Sequence, residues 1–232
     1  LFDAKKTQDA INWADPDYVI HLAAESHVDR SIEDPKIFIN SNIFGTFNLI
    51  DIIRKHWDKL PQKRKSNFRF LHVSTDEVFG TLEDEGFFSE ETKYDPRSPY
   101  SASKACSDHL ISAWHHTFGI PTLVTNCSNN FGPRQFPEKL IPLIILKAIN
   151  KEKIPIYGDG KNIRDWLFVE DHVRALIMVL IKGEIGEKYC IGGNTEKTNY
   201  EIAVEICNLI SKKLDNQFNY KNNRLLFNRI IV

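Results

Sequence analysis

Short β-favouring runs alternate with longer helical segments along the first 130 residues of this chain. Residues 17–23, 68–73 and 121–127 are apolar runs of strand length, and the segments 35–56 and 100–118 have helix length. Strands that alternate with helices pair in parallel, because the chain crosses over the sheet before each new strand. The alternation predicts an α/β fold with a Rossmann-like, doubly wound parallel sheet.

Beyond Phe131 the regular alternation of strands and helices ends, which indicates a second domain. The elements predicted there are a helix over 137–150, a short strand over 154–157, a turn over 158–161 and a helix over 170–180. We therefore interpret the chain as a Rossmann-like domain with a smaller, partly interleaved α/β substrate domain. The predicted extents are residues 1–130 for the first domain, 131–232 for most of the second, and 165–192 for a return to the first sheet.

Two connections in the first domain differ in composition. Residues 54–67 are polar and rich in Lys, which is typical of a surface connection. Residues 80–98 are rich in Gly, Pro and acids, and connections of this length usually have a function or are disordered. We expect residues 80–98 to form a lid on the substrate side.

Ser74, Thr75, Asp76 and Glu77 directly follow the predicted strand 68–73. In open parallel sheets, ligands bind just beyond the carboxyl ends of the strands. Within a strand Asp76 and Glu77 would point to opposite faces, but beyond its end the chain can turn both carboxylates into one crevice. Two carboxylates there can act as acid and base. The alternative is a solvated pair, the commoner state of adjacent Asp and Glu on a loop.

The predicted helix 100–118 opens with Tyr100 and Lys104, four residues apart. Residues at this spacing share one helix face with Cβ atoms ~5–6 Å apart, so Lys104 can lie beside Tyr100. A free phenol has a pKa of ~10, and an adjacent cation lowers this pKa by stabilising the phenolate. Tyr100 is therefore a candidate general base. The alternative is an ordinary exposed Tyr and Lys pair at a helix start.

Composition narrows the class of protein. The formal net charge is −1, which indicates neither a nucleic-acid nor an anionic-membrane partner. A membrane-spanning helix needs ~20 apolar residues, and the richest apolar runs, 140–149 and 175–181, are shorter. The four Cys lack metal-ligand spacing, so we expect buried free thiols in a reducing cytoplasm. We expect His21, His27 and His72 to pack in the core or to support residues of the site without touching a ligand, and no metal site is predicted.

Five groups of residues between positions 13 and 200 extend this pattern. They read HLAAESHVDRSI at 21–32, STDEVFG at 74–80, PYSASK at 99–104, NCSNNFGPRQ at 126–135 with KLIP at 139–142, and PIYGDG at 155–160 with RDW at 164–166. Together they resemble the extended short-chain dehydrogenase/reductases and, within them, the dTDP-glucose 4,6-dehydratases. Sister epimerases generally lack acids after the strand-end hydroxyls, so Asp76 and Glu77 are the discriminating feature.

The resemblance implies an NAD-dependent lyase that converts dTDP-glucose to dTDP-4-keto-6-deoxyglucose. Tyr100, assisted by Thr75 and Lys104, would take the 4-hydroxyl proton while C4 is oxidised. Glu77 would remove the C5 proton, and protonated Asp76 would release the 6-hydroxyl as water before C6 is reduced. This division of labour requires that the two carboxyl pKa values differ.

The resemblance also implies which residues bind each ligand. The catalytic residues are Thr75, Asp76, Glu77, Tyr100 and Lys104. The NAD-binding residues are Leu22, Ala23, Ala24, Glu25, Ser26, Ser41, Tyr100, Lys104 and Asn130. The residues for the nucleotide sugar are Ser26, Thr75, Asn129, Lys139, Leu140, Pro155, Ile156, Tyr157, Arg164 and Asn199. Arg164 is the strongest phosphate candidate, because a guanidinium can hold a phosphate with two hydrogen bonds.

Members of this family form dimers through two helices of each subunit, and the matching segments, 35–56 and 100–118, predict a homodimer. The family fold begins with a strand and a Gly-rich turn for the pyrophosphate, neither of which is found here. We therefore expect a fragment that lacks about the first three strands of the sheet. Residues 222–232 match no motif of the family, and we expect an altered tail there.

Three functions remain open at this point. The first is the 4,6-dehydratase, for which the sequence does not distinguish dTDP-glucose from UDP-glucose. The second is a catalytically inert remnant or a non-enzymatic nucleotide-sugar binder, which the unfamiliar ends of the chain favour. The third is a nucleotide-sugar epimerase, which would make Asp76 and Glu77 incidental.

Overall fold

The fold was analysed in a computed structural model, which describes residues 1–82, 86–156 and 158–218, with side chains as far as residue 213. Tyr157 and the tail at 222–232 lie outside the described residues. The chain forms two compact units. The first unit comprises Leu1–Cys127 and Val173–Ile191, and the second comprises Ser128–His172 and the residues from Gly192 onward.

Strands and helices alternate through most of the chain. The strands are β1 Tyr18–His21, β2 Arg69–Thr75, β3 Thr122–Cys127, β4 Asn129–Phe131, β5 Ile163–Phe168, β6 Lys188–Ile191 and β7 Glu196–Thr198. The helices are α1 Ala4–Ala14, α2 Val28–Glu33, α3 Pro35–Phe38, α4 Gly45–Asp58, α5 Gln62–Asn67, α6 Pro99–Phe118, α7 Leu140–Ile149, α8 Val169–Lys182 and α9 Asn199–Phe218. A π-helical segment, Ile39–Phe44, joins α3 to α4, and a 3₁₀ turn, Asp76–Phe79, follows β2.

The first unit is built on a four-stranded sheet in the order β1-β2-β3-β6. All three pairings are parallel, which confirms the predicted Rossmann-like sheet. Parallel strands end at a common edge, and the register places Thr75 of β2 beside Cys127 of β3. The end of β2 is therefore the place where a ligand of such a sheet is expected.

Helices cover both faces of this sheet. On one face Phe70 of β2 belongs to a buried cluster with Ile53 of α4 and Ile111 of α6. On the other face Leu71 packs in a cluster with Leu176 of α8. Neighbouring residues of a strand point to opposite faces, so a strand covered on both sides is apolar throughout. This explains why β2 reads as a continuous apolar run.

The second unit has a smaller sheet and its own core. β4 pairs in parallel with β5, and β5 pairs antiparallel with β7. Helices α7 and α9 enclose a cluster of buried residues: Ile144, Ala148, Ile154, Ala203 and Cys207. The second unit therefore has a hydrophobic core separate from the core of the first.

Several elements differ from the sequence prediction. The connection 54–67 contains the short helix α5, and the predicted helix 35–56 contains the π-helical segment. The strand predicted over 154–157 is absent from its described part, where Ile154 forms only an isolated bridge. The strand β5 was not predicted, because Arg164 and Asp165 interrupt its apolar pattern.

The cysteines are only partly as predicted. Cys207 is buried, but Cys106 is exposed on α6, so the prediction of buried thiols is wrong for Cys106. Among the described residues we find no helix with the length and apolarity needed to cross a membrane. The same ranges contain no group of three His, Cys, Asp or Glu side chains placed to hold a metal ion.

Candidate active site

The end of β2 carries a hydroxyl and two carboxylates. β2 ends at Thr75, and the chain then enters the 3₁₀ turn that holds Asp76 and Glu77. The Thr75 hydroxyl accepts a hydrogen bond from the Glu77 backbone N–H at 3.3 Å and donates to Asp76 Oδ1 at 3.2 Å. Thr75 is buried, and both acids are half-buried. The turn thus holds the three predicted side chains at the carboxyl edge of the sheet.

Helix α6 begins with a capping arrangement that fixes its first turn. The Ser98 hydroxyl accepts the Ser101 N–H at 3.0 Å, and the Ser101 hydroxyl accepts the Ser98 N–H at 2.9 Å. Pro99 occupies the first helical position, where its missing N–H costs nothing. Tyr100 follows directly and is only 8% exposed. The cap therefore fixes the part of the backbone that carries Tyr100.

Lys104 lies one turn after Tyr100, and its side chain is held between helix and sheet. Its Nζ donates a hydrogen bond to the backbone carbonyl of Val73 in β2 at 2.9 Å. The residue is 4% exposed. The predicted pair of Tyr and Lys is therefore buried at the active-site end of the sheet, and the alternative of an exposed pair is wrong.

The electrostatics of Tyr100 differ from expectation. Its pKa is raised above the ordinary value, mainly because burial disfavours the phenolate and Glu77 repels it. Asp76 raises the pKa further, and the Thr75 hydroxyl lowers it. The prediction that Lys104 brings this pKa down is not met, because burial outweighs the other effects. Since both carboxylates act on the phenol, Asp76, Glu77 and Tyr100 form one site.

The segment predicted to line NAD follows β1 at the same sheet. Residues 22–26 form a coil beyond the carboxyl end of β1, and Ser41 lies in the π-helical segment. Ala23 and Ser41 line one cavity of about 290 Å³, whose other lining residues are Leu1, Phe2, Ile37 and Asn40. The structure thus brings together two of the residues predicted to bind NAD.

Asn42 holds this segment in place, and sequence analysis missed it. The side chain is buried and makes two hydrogen bonds to the backbone of Glu25, one from the N–H at 2.8 Å and one to the carbonyl at 2.9 Å. Its Nδ2 also lies 2.8 Å from Ser103 Oγ of α6. Asn42 therefore connects the predicted cofactor segment to the helix of Tyr100. A π-helical segment has no simple sequence signature, so no pattern identified this residue.

The remaining predicted residues lie in the second unit. Asn129 and Asn130 are in β4, Lys139 precedes α7, Leu140 begins α7, Pro155 and Ile156 follow the Ile154 bridge, Arg164 is in β5 and Asn199 begins α9. Leu140 and Ile156 pack against the same buried cluster. Arg164 is exposed, and its guanidinium donates to the Ile163 carbonyl at 2.9 Å.

The Asn199 backbone is tied to the turn that follows residues 155 and 156. Its N–H donates to the Asn162 carbonyl at 3.1 Å, and the next N–H, of Tyr200, donates to the Gly160 carbonyl at 3.1 Å. The start of α9 and the turn therefore form one hydrogen-bonded corner of the second unit. Three predicted residues, Pro155, Ile156 and Asn199, lie in or beside this corner.

Comparison with known proteins gives a consistent picture. The family model described as GDP-mannose 4,6 dehydratase matches residues 1–228. A dTDP-glucose 4,6-dehydratase of Xanthomonas campestris pv. campestris (strain B100) is 59% identical over 197 residues, which are 85% of this chain and 56% of that protein. A dTDP-glucose 4,6-dehydratase of Salmonella typhimurium is 55% identical over 215 residues, 89% of this chain and 60% of that protein. The chain thus spans little more than half the length of these relatives.

Solved structures agree with the sequence comparison. DesIV, a dTDP-glucose 4,6-dehydratase of Streptomyces venezuelae solved with NAD and TYD bound, has a TM-score of 0.82 and 40% identity over 90% of this chain and 62% of that chain. A dTDP-glucose 4,6-dehydratase of Bacillus anthracis in complex with NAD has a TM-score of 0.79 and 38% identity over 96% of this chain and 72% of that chain. The resemblance seen in the motifs is confirmed, and the chain belongs to the GDP-mannose 4,6 dehydratase family.

Proposed function

We propose that this chain carries the catalytic centre of an NAD-dependent dTDP-glucose 4,6-dehydratase. The observation that carries the proposal is the 3₁₀ turn after β2, which holds Asp76 and Glu77 beside the Thr75 hydroxyl and within electrostatic reach of Tyr100. An epimerase would need the phenol and the hydroxyl but would have no task for two acids. An elimination of water needs one group that removes a proton and one that supplies a proton.

In the proposed reaction, Tyr100 takes the proton of the sugar 4-hydroxyl, and Thr75 hydrogen-bonds to the same oxygen. The raised pKa of Tyr100 means that the phenol is neutral in the free chain. Proton removal therefore requires added positive charge near the phenol. Lys104 favours the phenolate but does not by itself bring the Tyr100 pKa down to its ordinary value, and bound NAD⁺ would supply further positive charge.

The elimination step falls to the two acids. Glu77 removes the C5 proton, which the neighbouring ketone has made acidic, and Asp76 protonates the departing 6-hydroxyl. Asp76 must therefore be protonated while Glu77 is ionised. Two half-buried carboxyl groups on adjacent residues repel each other when both are charged, which opposes ionisation of both at once.

The residues of the first unit fit NAD in two respects. The neutral Tyr100 needs a cationic partner, and Ala23 and Ser41 line a cavity that lies beside the cofactor segment. We assign Leu22, Ala23, Ala24, Glu25, Ser26, Ser41, Tyr100, Lys104 and Asn130 to NAD. The chemistry that bound NAD supplies is hydride transfer, from C4 in the first step and to C6 in the last.

The second unit is proposed to hold the nucleotide sugar. We assign Asn129, Lys139, Leu140, Pro155, Ile156, Tyr157, Arg164 and Asn199 to it, together with Ser26 and Thr75 of the first unit. The choice of dTDP-glucose over UDP-glucose is supported by the names of the curated relatives. We further propose residues 1–130 as the cofactor domain, most of 131–232 as the substrate domain with 165–192 returning to the first sheet, and a homodimer formed through α4 and α6.

The test is to incubate the purified chain with NAD⁺ and dTDP-glucose and to follow the alkali-induced absorbance of a 4-keto-6-deoxy product. We expect product from the unaltered chain and none from Glu77→Gln. Glu33→Gln, which changes an exposed acid at the end of α2, is the matched control and should retain activity. Absence of both product and NAD⁺ binding would contradict the proposal and favour an inert remnant.

A further inference from the structure

A line of buried polar side chains leads from the active site into the core of the first unit. Tyr100, Lys104 and Asp108 recur at intervals of four residues along α6, so they lie on one face of the helix. Asp108 is only 3% exposed. A buried carboxylate is costly unless hydrogen bonds and opposite charge compensate for the lost water. The proposed reaction does not use Asp108, so its burial calls for another explanation.

Three segments of the chain converge on the Asp108 carboxylate. Its Oδ2 accepts a hydrogen bond from the Tyr94 hydroxyl at 2.9 Å and another from Asn126 Nδ2 of β3 at 3.2 Å. Its Oδ1 lies 3.1 Å from His72 Nε2 of β2. The carboxylate thus links α6 to two strands of the sheet and to the loop that precedes the helix.

Asn126 extends this network to the catalytic turn. Its Nδ2 also donates to the Thr75 backbone carbonyl at 3.1 Å, so the amide shares its two hydrogens between Asp108 and Thr75. Thr75 is the last residue of β2 and precedes both acids. Two hydrogen bonds therefore lead from Asp108 to the backbone that presents Asp76 and Glu77.

The network also has an electrostatic role. Burial alone would raise the pKa of Asp108, but the adjacent His72 side chain and the charge of Lys104 bring it below the ordinary value. The pKa of Lys104 is lowered by burial, and attraction to Asp108 opposes that lowering. The pKa of His72 is lowered by burial and by Lys104, so the imidazole is neutral. Asp108 is therefore the negative charge that balances the buried Lys104.

We propose that Asp108 is a positioning residue: it keeps Lys104 protonated beside Tyr100 and, through Asn126, fixes the backbone of Thr75. The catalytic role of Asp108 rests on the proposed dehydratase function. Its effect on the protonation of Lys104 is independent of that function. The titratable groups that face the Asp108 and Lys104 pair are His72 of β2, His21 of β1, Cys127 of β3, Tyr94 of the preceding loop and Tyr100 of α6.

The direct test is nitrogen NMR of the chain labelled at the lysine Nζ atoms, with the Lys104 signal assigned by its loss in Lys104→Met. In the unaltered chain we expect Lys104 to be an ammonium at neutral pH. Asp108→Asn keeps the shape of the side chain and removes its charge, so the Lys104 pKa should fall by about one to two units. Asp51→Asn, which removes equal charge from the surface pair with Lys55, should leave that pKa unchanged.

An activity profile gives the second readout. Activity requires protonated Lys104, so the alkaline limb of the pH profile reports its loss of a proton. In Asp108→Asn this limb should move to lower pH by the same one to two units. If Asp108 had only a structural role, Asp108→Asn would lower activity at every pH without moving the alkaline limb of the profile.

The possible results separate cleanly. A folded Asp108→Asn variant with an unchanged Lys104 pKa overturns the proposal. If that variant does not fold, the unaltered chain decides, because a neutral Lys104 at neutral pH would equally overturn it. A shifted Lys104 pKa in a chain that makes no product upholds this inference and refutes the dehydratase. Product formation without a shift of the Lys104 pKa upholds the dehydratase and overturns this inference.

Discussion

Two consecutive acids after the end of β2, Asp76 and Glu77, divide the proposed elimination step between them. Thr75 hydrogen-bonds to the Asp76 side chain and caps the turn that carries Glu77, so it holds the Asp76 carboxylate and the Glu77 backbone. Because the two acids differ in their proposed tasks, replacing one of them should affect one chemical step and leave the other nearly intact. The separation can be measured because the first step produces reduced nicotinamide before any water is lost.

Asp76→Asn is therefore expected to slow the elimination step by about 10²- to 10⁴-fold, the usual contribution of a general acid. The rate of the first oxidation should stay close to that of the unaltered chain. Single-turnover measurements of reduced nicotinamide and of the 4-keto-6-deoxy product would separate the two rates. Equal loss of both steps would contradict the assignment of Asp76 as the acid.

Prediction from the sequence worked for positions that depend on local spacing. Tyr100 and Lys104 share a helix face because they are four residues apart, and their burial excludes the alternative of an exposed pair. The same spacing continues to Asp108, a signal that was present but was not used. The lowered pKa expected for Tyr100 was wrong, because burial depends on the packing of the whole unit and no spacing reports it.

At the scale of elements, the start of α6 deserves a quantitative test because it carries Tyr100. Ser98→Ala removes the hydroxyl that accepts the Ser101 N–H at 3.0 Å. We expect a loss of about 1 kcal/mol in the free energy of unfolding, the typical effect of losing a helix N-cap. Urea unfolding followed by circular dichroism would measure it.

Ser66→Ala serves as the control for the capping prediction. The Ser66 hydroxyl donates to the Lys63 carbonyl at 3.1 Å on the exposed helix α5, so this change also removes one local hydrogen bond. Its effect should stay within about 0.5 kcal/mol, as for most surface changes. Equal losses for the two variants would show that the cap does not specifically stabilise α6.

Elements with a clear local pattern were predictable, and several of those without one were not. β2 has a clear apolar pattern because it is covered on both faces, and the helical spacing of Tyr100 and Lys104 identifies the start of α6. β7 has only three residues, and its antiparallel pairing with β5 depends on contacts distant in sequence. β5 carries Arg164 and Asp165, so its pattern resembles a polar connection. The Asp165 carboxylate accepts the Gly193 and Thr195 N–H groups at 2.6 and 2.7 Å, a tertiary role that no local pattern shows.

At the scale of the whole molecule, the proposed dimer makes a clear prediction. Phe47 of α4 and Phe118 of α6 are 40% and 45% exposed, and the rings of Phe47 and Trp114 are 5.8 Å apart. An exposed aromatic group on two adjacent helices fits a partner surface. Phe47→Glu should weaken self-association by at least about tenfold, because a buried unpaired charge opposes the contact.

Sedimentation velocity over a range of concentrations would measure that change. Trp13→Glu places the same charge on α1, where the side chain is 90% exposed, and should leave the association unchanged. Weakening by both variants would point to a general loss of stability. A monomer at all concentrations of the unaltered chain would contradict the proposed homodimer.

The π-helical segment Ile39–Phe44 has a consequence for the phase of the helical pattern around it. A π turn accommodates one residue more than an α turn, and each residue of a helix advances its face by about 100°. The apolar positions before and after the segment therefore follow two different phases, as if one residue had been inserted between them. Removing a single residue here would restore one continuous phase but would rotate Asn42 away from Glu25. The extra residue is thus what allows a helical stretch to direct the Asn42 side chain at Glu25, in the segment proposed to bind NAD.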